Sequence, residues 1–89
     1  MKAIITVVGL DRVGIISEIC TLLAGMQVNI VDISQTVMDN FFTMIMLTDT
    51  SKSDKTFDQI ADALRQKEAE TGLSIRIQQE DIFHAMHRI

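Results

Sequence analysis

The apolar spacing of this chain switches from strand period to helix period twice in the same order, and that alternation restricts the folds open to it. Lys2 to Val8 (KAIITVV) is short, β-branched and apolar at nearly every position, the pattern of a strand buried on both faces. Gly9-Leu10-Asp11-Arg12-Val13-Gly14 interrupts it. From Ile15 the apolar residues recur at helical spacing, with Ile15, Ile16, Ile19, Leu22, Leu23 and Met26 on one stripe and Ser17, Glu18 and Thr21 opposite. Asp11 is the expected N-cap, its carboxylate accepting first-turn N–H groups, and Gly25 the expected end. Val28 to Met38 then reads as a second strand. Asp39-Asn40 reads as a two-residue turn, because both residue types tolerate positive φ, and Phe41 to Asp49 as a third strand apolar on both faces. Ser51-Lys52-Ser53-Asp54 fits a capping box. Phe57, Ile60, Ala61 and Leu64 mark a second amphipathic helix, which Thr71-Gly72 closes. Leu73 to Gln79 alternates, with Leu73, Ile75 and Ile77 inward and Ser74, Arg76 and Gln78 outward, as an edge strand does.

Two βαβ units joined by a tight hairpin form the split-βαβ arrangement: an α+β, ferredoxin-like βαββαβ sandwich with antiparallel sheet order 4-1-3-2. That order places the first and third strands, the two continuous apolar runs, at the centre, so local pattern and topology agree. Residues 2–79 make this one domain. Residues 80–89 follow as a short amphipathic helix, with Ile82, Phe83, Met86 and Ile89 on one face. Two helices cover only one side of a sheet, yet Ala3, Ile5 and Val7 point opposite Ile4 and Val8, and Phe42, Met44 and Met46 opposite Phe41, Ile45 and Leu47. The second apolar face therefore calls for a cover: the C-terminal helix, a second copy of the chain, or both.

Eight Lys and Arg against twelve Asp and Glu leave a net charge of -4, the wrong sign for a phosphate backbone or an anionic membrane surface. The single cysteine, Cys20, forms no internal disulfide and removes every Cys-based zinc or iron–sulfur pattern; it sits at the margin of the first helix's stripe as a partly buried, inert thiol. No cofactor motif is present. The run Ala3 to Leu10, broken by Thr6 and Gly9, lacks a signal-peptide cleavage site, and no apolar stretch approaches the ~20 residues of a membrane span. A small cytoplasmic protein is the expectation. Asp81, His84 and His87 share one helical face and have metal-ligand types, but they also match a solvated face with basic residues in the last turn, which is the preferred reading.

The loop Gly9 to Ile15 is the stretch with most chemistry. Gly14, with no Cβ, lets another group approach the backbone. The N–H groups around Val13, Gly14 and Ile15 form the positive end of a helix, which attracts anions, and Asp11 beside them can accept from an ammonium group. A carboxylate-seeking element next to an amine-seeking one is the complement of an α-amino acid. The same residues also make an ordinary capped strand–helix turn with a packing glycine, and on the local pattern alone that is the preferred reading, because such turns are common.

GLDRVGII, an apolar helix, and then Gly25-Met26-Gln27-Val28-Asn29-Ile30 together resemble the ACT domain, a regulatory ligand-binding module. The resemblance covers about Lys2 to Gln79 and is closest to stand-alone single-ACT proteins of uncharacterised function and to ACT repeats of the glycine-cleavage repressor type. Many ACT loops carry Pro where this chain has Val13, and no attached catalytic domain is expected. The resemblance implies a small effector, typically an amino acid, bound between paired subunits. Asp11, Arg12, Val13, Gly14 and Ile15 would hold its charged ends, and Asn29 with Ile30 would approach from a neighbouring subunit's second strand, through which ACT pairs often join. The implied protein is a homodimer or higher homo-oligomer that senses a metabolite without catalysis and acts on a regulated partner protein. A second reading is a protein–protein adaptor with no small ligand. A third is an acylphosphatase-like hydrolase, using Arg12 to hold phosphate and Asn29 to orient water, although Asp11 beside the phosphate and the strand that carries Asn29 both count against it.

Overall fold

The computed structural model describes residues 1–80, in the order β1 (Lys2–Leu10), α1 (Ile15–Gly25), β2 (Asn29–Met38), β3 (Phe41–Asp49), α2 (Phe57–Thr71) and β4 (Ser74–Gln79). The four strands form one antiparallel sheet in the order β2-β3-β1-β4, the expected 4-1-3-2 read from the other edge. Its register sets Val7 beside both Met44 and Ile75, and Ile5 beside Met46 and Ile77. These side chains meet Ile15, Ile19 and Leu23 of α1 and Ile60 and Leu64 of α2 in a single core. Each such side chain contributes roughly 1.5–3 kcal/mol on leaving water. Thr48 is buried among them, and its hydroxyl donates to the Ala3 carbonyl at 2.9 Å, so no lone hydroxyl is stranded in the apolar layer.

Several local expectations are displaced. β1 continues past Val8 through Gly9 and Leu10, which pair with Phe42 and Phe41. Gly9 is a close-approach residue and not a strand breaker: a Cβ there would lie 2.5 Å from Leu73 Cδ2. Because β1 runs on, Asp11 falls three residues short of the helix, and the N-cap is Gly14, with no side-chain cap. The α1 stripe is narrower than its spacing suggests: Ile15, Ile19, Leu23 and Met26 are buried, Leu22 is half-buried and Ile16 is exposed. Gly25 is the last helical residue, but Gln27, at φ 59, makes the left-handed turn out of α1.

The α2 cap also moves. Thr56 Oγ1 accepts from the Gln59 N–H at 3.2 Å while Gln59 Oε1 accepts from the Thr56 N–H at 2.9 Å. This capping box lies beyond Ser51–Asp54, where Ser53 Oγ only accepts a turn bond from the Lys55 N–H. Gly72 closes α2 as expected, at φ 77. Asp39 takes φ 54 in the β2–β3 hairpin.

Neither central strand is buried on both faces. Ala3, Ile5 and Val7 are fully buried beneath the helices, as are Phe42, Met44 and Met46, but Val8, Leu10, Phe41 and Ile45 stand open on the other side. The expected C-terminal helix, with Asp81, His84 and His87, lies outside the described residues. Within the described residues, no helix is long and apolar enough to cross a membrane.

Candidate functional site

The β1–α1 loop lies at the same end of the sheet as the β2–β3 hairpin, and the Asp11 N–H donates to the Asn40 carbonyl at 2.7 Å. Asp11, Arg12, Val13 and Gly14 are all exposed, Val13 at 99%. Gly14 has φ 92, and nothing stands within 4 Å of the position its Cβ would take. Glycine is favoured there by the sign of φ, and the space above it is open. With no side-chain cap on α1, its first-turn N–H groups keep the partial positive charge of the helix end.

Arg12 folds back over that first turn. Its guanidinium donates to the Glu18 carboxylate at 2.5 Å and to the Val13 carbonyl at 3.4 Å. Sequence reasoning placed Glu18 on the solvent face and missed this pairing; the available signal was an acid in the first turn of a helix preceded by an Arg in its loop. The Ile15 side chain is 2% exposed and belongs to the core, so only its backbone faces the loop.

Asn29 and Ile30 are far from the loop of their own chain. Asn29 begins β2 opposite Asp49, which also pairs with Lys2, whereas the loop follows Leu10 at the other end of β1. The separation is roughly 27 Å at ~3.4 Å of rise per strand residue. Ile30 is half-buried against the core, and exposed Asn29 borders a shallow cleft of about 410 Å³ with Ala24, Gln27, Val28 and Lys52. Arg12 and Asn29 of one chain therefore cannot share a phosphate, and the acylphosphatase arrangement does not form. Beside Asn29, the Asp49 carboxyl titrates below the ordinary carboxylate value of 3.8, chiefly because it accepts the Ser51 N–H at 2.9 Å, with Ser51's side chain, the N-terminal ammonium and Lys2 adding to the effect.

A second cleft, of about 360 Å³, runs between α2 and β4 over Leu64, Ile75 and Ile77, with Arg65, Glu68 and Arg76 at its sides. Glu68 accepts the Ile75 N–H at 2.6 Å there. Cys20 is half-buried, as expected for a thiol at the margin of α1. Among the described residues, no group of three His, Cys, Asp or Glu could hold a metal ion.

The fold is the ferredoxin-like βαββαβ class, with a glycine-started helix following its first strand. The family profile of the ACT domain matches residues 2–78, and the chain belongs to the ACT domain family. A UPF0237 protein from Clostridium acetobutylicum is 54% identical over 89 residues, spanning the whole of both chains. Among solved structures, an ACT domain protein from Streptococcus pneumoniae superposes with a TM-score of 0.82 at 38% identity, covering 93% of each chain. A structure assigned to a glycine cleavage system transcriptional repressor gives 0.76 at 27% identity, covering 86% of this chain and 44% of the other. ACT domains are in general regulatory modules for small molecules.

Proposed function

We propose that this protein is a cytoplasmic, homodimeric sensor of a free amino acid, and that it has no catalytic activity of its own. The uncapped start of α1 at Gly14 carries the reading: an open positive helix end lies beside the exposed carboxylate of Asp11. First-turn N–H groups and the Arg12 guanidinium would take the effector's carboxylate, and Asp11 its ammonium. Val13 and Gly14 supply backbone and shape, and Ile15 only its N–H. Since Asn29 and Ile30 of the same chain are out of reach, they would complete the site only from a second copy. The Arg12–Glu18 pair would open when ligand binds, which costs little between two groups this exposed.

An effector of this size in so open a loop gives weak affinity, micromolar to millimolar. Thermal unfolding with each of the twenty amino acids at millimolar concentration tests the reading. A sensor gains stability with its ligand by mass action, so one or a few amino acids should raise Tm. A flat response to all twenty would leave the adaptor reading, in which stability rises only with a partner protein.

A further inference from the structure

We infer that the cleft between α2 and β4 binds a short apolar peptide with free ends, about three residues long, laid as an extra strand along the outer edge of β4. The site goes beyond the proposed sensor and shares no residue with the β1–α1 loop. β4 is an edge strand whose neighbour in the sheet is β1. In an antiparallel ladder, successive residues turn their N–H and carbonyl groups alternately toward and away from the neighbouring strand. The Ile75 N–H donates to the Glu68 carboxylate at 2.6 Å and so points away from β1. Ile77, two positions on, turns the same way, and among the described residues its outward N–H and carbonyl have no partner. One donor and one acceptor therefore face the cleft at Ile77, the pair that one residue of an incoming antiparallel strand exchanges.

The opposite wall is one flank of α2. Phe57, Ala61 and Leu64 recur there at helical spacing and give an apolar surface that Ile75 continues. Asp58 and Arg65 line the same flank, seven positions apart, or roughly 10 Å at ~1.5 Å of rise. Three residues of extended chain reach about the same length. α2 turns into β4 at Gly72, so the two elements run in opposite directions, with Glu68 against Ile75 and Asp58 toward the far end of β4. A peptide antiparallel to β4 thus brings its ammonium to Asp58 and its carboxylate to Arg65 and Arg76. Its middle residue pairs with Ile77. Paired residues share a face, so that side chain falls on the apolar wall of α2.

The charges are available for this. Asp58 and Arg76 form no ion pair among the described residues. Arg65 engages Asp62 through one terminal nitrogen, which leaves other N–H groups of its guanidinium to donate. Length is limited at the other end: Glu68 occupies the Ile75 N–H, so a chain running on past the carboxylate would have to displace it. The cleft volume of about 360 Å³ is likewise at the small end of ligand pockets. The other edge of the sheet lacks these features, because β2 bulges between Ile30 and Asp32 and breaks the register an added strand needs.

The test is amide NMR of the full chain, titrated with the peptide Ala-Leu-Ala to millimolar concentration. Shifts should map to β4 and to residues 58–68 of α2, and exchange of the Ile77 amide should slow. Amidating the peptide's carboxylate or acetylating its ammonium should each weaken binding about tenfold, as loss of a hydrogen bond to a charged group does. Ala-Asp-Ala, which sets a charge on the apolar wall, should not bind. Arg76→Ala should weaken Ala-Leu-Ala by about the same tenfold, with an unchanged spectrum away from β4, and Ala61→Leu, which fills the cleft, should abolish binding. Silence toward Ala-Leu-Ala, shifts confined to residues 13–18, equal binding of Ala-Asp-Ala, or indifference to both blocked peptides would overturn the inference. A chain whose Tm rises with an amino acid but which ignores Ala-Leu-Ala would overturn it and leave the sensor reading standing; shifts along β4 with a flat response to all twenty amino acids would do the reverse.

Discussion

The Asp11 N–H and the Asn40 carbonyl, 2.7 Å apart, tie the candidate loop to the β2–β3 hairpin. The start of the site is thus held by a turn whose geometry rests on Asp39 at φ 54. A β-branched side chain is poorly tolerated in that conformation, at a cost of roughly 1–2 kcal/mol. Asp39→Val should lower stability by about that amount in urea unfolding and speed amide exchange at Asp11, whereas Asp39→Gly should leave both close to wild type.

Gly9 and Leu73 make a second test of close packing. The 2.5 Å approach of a Cβ at Gly9 to Leu73 Cδ2 means that Gly9→Ala must push a buried leucine aside. Overpacking of this kind costs about 1–3 kcal/mol. Leu73→Ala removes the clashing methyl, so the double variant should be more stable than the sum of the two single losses predicts. Strict additivity in a denaturant-based double-mutant cycle would show that the two positions do not press on each other.

The cap of α2 can be located by substitution. Thr56→Ala removes one half of the reciprocal pair with Gln59 and should cost about 1 kcal/mol. Ser53→Ala removes only the turn bond to the Lys55 N–H and should cost less. Equal losses in thermal unfolding would put the helix start back at Ser51–Asp54.

The fold was legible because period and topology reinforce each other: apolar runs at β1 and β3, helical spacing in α1 and α2, and alternation in β4 admit few other arrangements. The errors fall where a tertiary contact decides the local structure. Gly9 reads as a breaker until Leu73 is seen beside it, and Asp11 reads as a cap until the extra length of β1 moves it away. Thr56 lost to Ser51–Asp54 because two capping signals stood close together, and only the true start of α2 chooses between them. In the candidate site, the exposed loop and its glycine were readable. The Arg12–Glu18 contact had only the signal of an acid in the first turn after a loop Arg, which does not fix how an exposed side chain folds back. The distance from the loop to Asn29 follows from strand direction, which the topology already contained.

Asp49 gives a pH prediction. Its folded pKa is depressed below 3.8 by the Ser51 N–H first of all, while the unfolded chain keeps the ordinary value. Stabilisation from this carboxylate is therefore fully present above the unfolded pKa and is lost as pH falls through the folded one, below about pH 4. Wild-type Tm should fall more steeply across that window than the Tm of Asp49→Asn, which has no charge to neutralise. Parallel curves from pH 5 to pH 2 would remove Asp49 from the acid response.

Arg12 separates stability from recognition. Its ion pair with Glu18 is exposed at both ends, with side chains at 39% and 41% accessibility, and such pairs contribute about 0–1 kcal/mol. Arg12→Ala should therefore unfold within a few degrees of wild type, while the Tm rise produced by an amino acid should shrink or vanish. Glu18→Gln frees the guanidinium without removing it, so the same ligand should bind as tightly or more tightly. The opposite order, with Glu18→Gln weakening binding and Arg12→Ala leaving it intact, would mean that Glu18 itself holds the ligand and that the guanidinium serves only to close the first turn of α1.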